Sequence, residues 1–202
     1  MDGLKFFLVQ HARLHGAEVA PVEGGSFADR VFGGLSDDQL RLRPGRGLNS
    51  LAWLLWHVAR TEDVAVNLVI AAGRQVFDDG WAGRLGVARR DIGTAMTDDE
   101  VSDLGARIDL AALRAYRTAV GRRTREVVGA LPSAAWDEPV GPADTDRAVA
   151  AGAFGPRADW VPGLWQKRSR AGRLGSTAIT HTAVHLGEAL TVRSQAGLGL
   201  GL

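Results

Sequence analysis

The chain contains no cysteine. That absence excludes a disulfide framework, a cysteine-ligated zinc site and a cysteine nucleophile; any thiol chemistry must draw its thiol from outside. Long hydrophobic runs are also missing. The longest, Leu51 to Trp56, is far shorter than the roughly 20 residues needed to cross a bilayer as a helix. Lysine is nearly absent while arginine and alanine are plentiful, the bias of a GC-rich genome. Neither sign of charge is in excess: 24 basic and 23 acidic residues give a formal +1, which supplies no general attraction to nucleic acid or to an anionic membrane. Asp2, Lys5 and Arg13 break the pattern of a secretory signal. No segment alternates polar and apolar residues for long enough to build a sheet. These absences together predict a soluble, cytoplasmic, all-α protein with no nucleic-acid or membrane partner.

At 202 residues the chain suits a single domain, 1–202, that buries roughly 70% of its unfolded surface. Leu4, Leu8, His11 and His15 form one stripe of a helix expected over residues 3–20. A shorter helical piece follows at 26–35, and Ser36-Asp37-Asp38-Gln39 can restart a turn. Asn49 and Ser50 can cap a helix over 51–71, apolar on every side in its first turns and therefore buried all round. Residues 73–96 read as a loop rich in glycine and charge. Thr97 with Glu100 has the form of a capping box, Asp109 can cap a helix over 110–131, and Pro132 ends it. An insert over about 132–175, rich in proline and glycine, precedes the last helix, 176–196. A flexible tail, 197–202, ends the chain. Four long helices with short extras point to a four-helix bundle.

Histidine carries the chemistry of this sequence. His181 and His185 lie one turn apart on one helix face, and five histidines placed at random in this length would give roughly 0.1 such pairs. Small residues beside them would let a metal or another helix approach. Inward-facing neutral imidazoles are costly unless their ring nitrogens are satisfied, which a metal ion does while fixing the tautomer. His57, midway along the most buried helix, is the obvious third ligand. Three imidazoles leave the charge of a divalent ion uncompensated and coordination positions open, as catalytic sites require. His11 and His15 have the same spacing and also sit on an apolar stripe. They can be core histidines, substrate-facing acid–base groups or a rival metal site, and spacing alone does not choose between the pairs. Thr182 stands where a zinc protease of the His-Glu-x-x-His type needs its glutamate, so that activity is excluded.

The stretch Leu35-Ser-Asp-Asp-Gln-Leu-Arg-Leu-Arg-Pro44, then Asn49-Ser-Leu-Ala-Trp-Leu-Leu-Trp-His57-Val-Ala-Arg-Thr-Glu-Asp63, then His181 and His185 resembles the DinB-like superfamily, the damage-inducible or YfiT-like proteins, over nearly the whole chain. Trp81 with Arg89 to Met96 is similar to an actinobacterial subgroup. The resemblance implies an up-down-down-up four-helix bundle, often a homodimer, with His57, His181 and His185 as ligands of a divalent metal such as zinc or nickel. It further implies a transferase or isomerase that works on a small molecule with mycothiol or another low-molecular-weight thiol activated at the metal. The other readings it leaves open are a non-catalytic dimeric metal-binding or stress-response protein, and a metal-dependent hydrolase. The insert departs from the compact family pattern and should shape the mouth of the pocket.

Further candidates surround the triad. Glu188, one turn after His185, can orient a ligand as a hydrogen-bond acceptor. Arg60, near His57, can meet an anionic substrate. Lys167, Arg168, Arg170 and Arg173 form a basic cluster whose default reading is a solvated helical face. Six tryptophans are many for this length, with core as the first expectation for Trp53, Trp56 and Trp81.

Overall fold

Short polar side chains start most of the helices in the computed structural model, which describes residues 2–45 and 47–201. Asp2, Ser26, Ser36 and Ser50 each accept a backbone N–H from the first turn of α1 (Gly3–Leu14), α2 (Phe27–Phe32), α3 (Asp37–Arg41) and α4 (Leu51–Asp63). Asp78, Thr97 and Asp109 do the same for α5 (Asp79–Leu85), α6 (Asp98–Arg107) and α7 (Leu110–Ala130). The capping box expected at Thr97 and Glu100 is formed, and Ser36 and Gln39 form another. Then come α8 (Pro142–Ala150), α9 (Val161–Trp165), α10 (Arg170–Leu174) and α11 (Thr182–Gln195). The fold is all-α, and the described residues form no sheet, only one isolated antiparallel bridge between Pro139 and Ser169. No helix among them is long and apolar enough to cross a membrane.

The long elements are α1, α4, α7 and α11, and α4 is the centre. Each of its 13 residues is buried. It packs on α7 and α11, while α1 lies against α7 and against the start of the last helix. Leu54, Trp56, Leu113, Tyr116 and Leu186 belong to the main core. The all-round apolar start of α4 predicted this burial. Its second half is buried too, although it carries Arg60, Thr61, Glu62 and Asp63. Buried charges must be paired or neutralised, so this half of the helix demands polar partners from its neighbours.

Two π-helical segments extend the long helices. Val64–Ile70 continues α4, and Gly175–His181 joins α10 to α11. A wider turn of this kind shifts the faces of the residues beyond it, and such segments are frequent at functional sites. No hydrophobic period of the sequence announces either one.

Three boundaries differ from expectation. α1 stops at Leu14 rather than near Ala20, with His15 already extended; the chain turns there because the Asp29 carboxylate takes the Ala17 N–H at 2.8 Å. The loop expected over 73–96 contains α5, closed by Gly86 at φ 67°, a left-handed cap that glycine adopts without penalty. The tail is tied down as far as it is described: Arg193 donates to the carbonyls of Leu198 and Gly199. Leu202 lies outside the described residues.

The insert is ordered into a 3₁₀ turn at Ser133–Trp136 followed by α8, α9 and α10. Val140, Ala148, Ala158, Val161 and Trp165 form a second core with Val64 and Val69, so the insert packs on the π-helical end of the central helix.

Candidate metal centre

His57 is placed by both ends of its ring. Its face stacks on Trp53, one turn earlier in α4, with centroids 4.6 Å apart and planes 13° from parallel. Its Nδ1 donates to the Ile92 carbonyl at 2.6 Å. That carbonyl is held by a turn in which the Gly93 N–H bonds Asp91 Oδ1 at 2.7 Å. Gly93 itself has φ +83°, a conformation that suits glycine. The Ile92 N–H bonds the Ala153 carbonyl of the insert at 2.9 Å, so the insert helps to aim the ring.

His181 and His185 reach the same point from the last helix. His57 Nε2 lies 3.1 Å from His181 Nε2. His185 meets the His57 ring edge-on, with centroids 4.8 Å apart. Its Nδ1 is 2.8 Å from Glu188 Oε2, while Asn49 Nδ2 donates to Glu188 Oε1, also at 2.8 Å. The candidate ligand atoms of the three histidines all lie within 4.8 Å of one another.

Proton accounting shows what the cluster can hold. A carbonyl and a carboxylate only accept, so in the neutral rings Nδ1 of His57 and of His185 must carry the hydrogen. Their Nε2 lone pairs are then left to face His181. Burial, followed by the nearby His185, drives the His57 pKa down to about 4 against the pull of the Ile92 carbonyl and Glu188. Burial, then His57 and His185, drive His181 down to about 2. Glu188 falls below its ordinary value because it accepts from His185, although burial opposes this. Neutral imidazoles with inward lone pairs, aimed by a carbonyl and a carboxylate from behind, are the donor set that a divalent ion requires.

Beside the cluster lies a cavity of about 340 Å³ bordered by His57, Thr61, Ile92, Trp165, Thr177 and His181, among others. That size is at the small end of ligand pockets. Its outer wall comes from α9 and α10 of the insert, as expected for the mouth of the pocket.

His11 and His15 are elsewhere, fully buried beneath α4. Their Nε2 atoms lie 2.9 and 2.8 Å from the two carboxylate oxygens of Glu62, and Thr124 Oγ1 donates to Glu62 Oε1 at 2.7 Å. The two rings stack with centroids 4.2 Å apart. Burial, the largest influence, lowers His15 to about 3 although Glu62 pulls it up. Burial would raise Glu62, but His15 and His11, by charge and by hydrogen bond, hold it well below the ordinary carboxylate range. This cluster too brings three possible ligand groups together. Its carboxylate, however, already accepts from two rings and a hydroxyl.

Arg60 does not border the cavity beside His57. It is fully buried, donates to Asp63, Tyr116 and Gln75, and reaches the Arg90 carbonyl. Asp63 also accepts from Asn67, Tyr116 and the Val76 and Phe77 N–H groups. Arg60 therefore serves the core and the 73–96 segment. Of the sequence candidates, His57, His181, His185 and Glu188 come together, while His11 and His15 form a separate group. Sequence reasoning missed Ile92, whose contribution is a backbone carbonyl and leaves no side-chain signal. It also missed Glu62, whose partners lie 51 and 47 residues away, and Asn49, considered only as a cap.

A family model described as the DinB superfamily matches residues 28–189. No curated protein matches the sequence. Among solved structures, the "conserved protein of locus from Enterococcus faecalis" superposes with a TM-score of 0.63 at 17% identity, over 96% of this chain and 94% of that one. At that identity the likeness concerns the fold alone.

Proposed function

The chain belongs to the DinB superfamily, and on that footing we propose that His57, His181 and His185 hold a divalent metal ion used on a small molecule in the adjoining cavity, in transfer or isomerisation dependent on a low-molecular-weight thiol. One observation carries the metal reading: the Nδ1 atoms of His57 and His185 are committed to acceptors, which leaves Nε2 lone pairs on both rings beside His181, whose Nε2 lies 3.1 Å from that of His57. Zinc and nickel both suit an imidazole set. When bound, the ion would supply Lewis acidity and lower the pKa of a coordinating thiol.

The cavity lining among the described residues contains no aspartate or glutamate, so a bound ion would itself have to lower the pKa of a coordinated thiol or water. Because the chain has no cysteine, a thiol would have to come from outside. His57 and His181 fix one end of the pocket, and Trp165 and Thr177 flank the space where an electrophile would sit.

The test is to load the protein with Co²⁺ and titrate it with mycothiol, bacillithiol and glutathione. Thiolate ligation should appear as a new near-ultraviolet charge-transfer band that saturates with one of them. Silence with all three, on protein that does hold the metal, removes the thiol reading. Binding without turnover of any electrophile selects a non-catalytic role. Failure to take up metal at all overturns the proposal.

A further inference from the structure

The basic cluster before the last helix divides in the folded chain. Lys167 is exposed. Arg170 bonds the Ile70 carbonyl and pairs with Glu138. Arg168 and Arg173 instead border the cavity beside the histidines, and neither forms an ion pair among the described residues. Arg173 is 5% exposed. One Nη donates to the Leu164 carbonyl at 3.0 Å, the guanidinium lies 5.4 Å from the centre of the Trp165 ring, and Nε has no partner. A guanidinium taken out of water without a carboxylate is costly. A second arginine nearby, Arg168, adds repulsion.

Other unpaired polar atoms gather around the same space. Thr61 Oγ1, Thr177 Oγ1 and His181 Nδ1 are buried without a hydrogen-bond partner, and all three residues line the cavity. Buried polar atoms are paired as a rule, and these three, with Arg173 Nε, belong to residues that border a space where a ligand could supply partners. The remaining wall is apolar: Trp165 is buried, while Trp160 and Leu164 stand 56% and 57% exposed at its edge.

We propose that this cavity takes a small organic anion, a carboxylate or a phosphate ester with an apolar body, whose acid group sits on Arg173 and Arg168 while the body lies along Trp160, Leu164 and Trp165. This rests on the reading of the cavity as the substrate site, and it does not require the metal. The basic pair and the histidines border the same cavity, so an anion held on the arginines would leave the rest of the ligand within the space that His57 and His181 also line. Of the three thiols, glutathione and bacillithiol carry carboxylates and mycothiol does not; where the thiol itself occupies the subsite, the first two are favoured.

Tryptophan fluorescence provides the readout, because Trp160 and Trp165 flank the cavity. Metal-free and zinc-loaded protein would be titrated with phenylacetate, phenyl phosphate and neutral phenylacetamide. At least one anion should bind about tenfold or more tightly than the amide, in both metal states, and the better anion identifies the acid group. The preference should vanish in Arg173→Gln and weaken in Arg168→Gln. The second variant changes an exposed residue and keeps the test valid where the first misfolds. Equal binding of anions and amide, or a preference untouched by both substitutions, overturns the subsite. Zinc content measured on the same samples reports the metal reading separately.

Discussion

Two histidine pairs with identical spacing meet opposite fates in this molecule. His181 and His185 face a third imidazole, whereas His11 and His15 face a carboxylate. At the first cluster Nδ1 of two rings is anchored from behind and the Nε2 lone pairs converge. At the second the Nε2 hydrogens are given to Glu62, and Nδ1 of both rings is left without a partner. A metal bound there would need Nε2 stripped of its hydrogen, with the Nδ1 hydrogens pointing at no acceptor. The third corner decides the chemistry: an imidazole leaves Nε2 lone pairs to share, whereas the Glu62 carboxylate accepts the Nε2 hydrogens. The hydrogen bonds of the second cluster tie α1, α4 and α7 together through Glu62, the arrangement of an internal clasp.

The sharpest way to break this contrast is to ask where metal goes. His185→Ala removes one of the three proposed ligands and should bring metal content after dialysis to near zero by elemental analysis. His11→Ala should leave it at the wild-type value. The reverse result would transfer the centre to the α1 cluster.

Acid should load the His15 cluster next, on top of the same-signed contribution of His57 and His181. The His15 pKa is lowered from 6.5 to about 3 by burial, so below pH 6.5 the unfolded chain takes up a proton that the folded one refuses. Stability present above pH 6.5 is then lost as pH falls, down to about pH 3, with a slope of up to about 1.4 kcal/mol per pH unit from this one group. Chemical denaturation of metal-free protein at a series of pH values should show a steep fall in wild type and a shallower one in His15→Gln. Matching slopes would mean that His15 is charged, or exposed, in the folded state.

Close packing around the clasp gives a smaller effect. A Cβ on Gly121 of α7 would come 2.7 Å from His15 Nδ1 and 2.9 Å from Val19 Cγ2, closer than side chains tolerate. Gly121→Ala should cost about 2 kcal/mol in urea unfolding, with metal content unchanged. A neutral or stabilising result, of the kind expected for glycine to alanine in an open helix, would show that the His15 ring moves freely.

How far the sequence reveals this arrangement depends on the range of the interaction. Caps are local, so Ser50, Thr97 and Asp109 could be read directly, and with them the starts of α4, α6 and α7. The buried face of α4 was legible from Leu51 to Trp56 because those residues are apolar. Its polar half was not, since Glu62 and Asp63 have partners in distant segments, among them His11, His15, Thr124 and Tyr116 at 47 to 62 residues away. The pairing of His57 with the last helix came from family resemblance; spacing alone left His11 and His15 equally eligible. The helices of the insert were obscured by proline and glycine, and Arg173 by the exposed basic residues around it. The π-helical turn that ends at His181 leaves no periodic mark on the sequence, although it sets the direction from which that ring enters.

The finest test concerns the support behind His185. Glu188 is ionised, receives Asn49 on one oxygen and holds the His185 Nδ1 hydrogen on the other. Glu188→Gln keeps the length of the side chain and an oxygen to accept, but removes the negative charge that strengthens the bond and makes the ring more basic. Partners of this kind change metal affinity by about 10–100-fold when altered. An acceptor survives in Gln, so the loss should lie near tenfold, about 1.4 kcal/mol, measured by competition with a chelator of known affinity. The helical content should not change. A full loss of metal would mean that the carboxylate is itself a ligand, and no loss would mean that packing against Trp53 and His57 aims the rings unaided. The same carboxylate role is played at the clasp by Glu62, but there it faces Nε2. Which ring nitrogen the carboxylate captures separates a group that leaves Nε2 open for the proposed metal from one that occupies Nε2 itself.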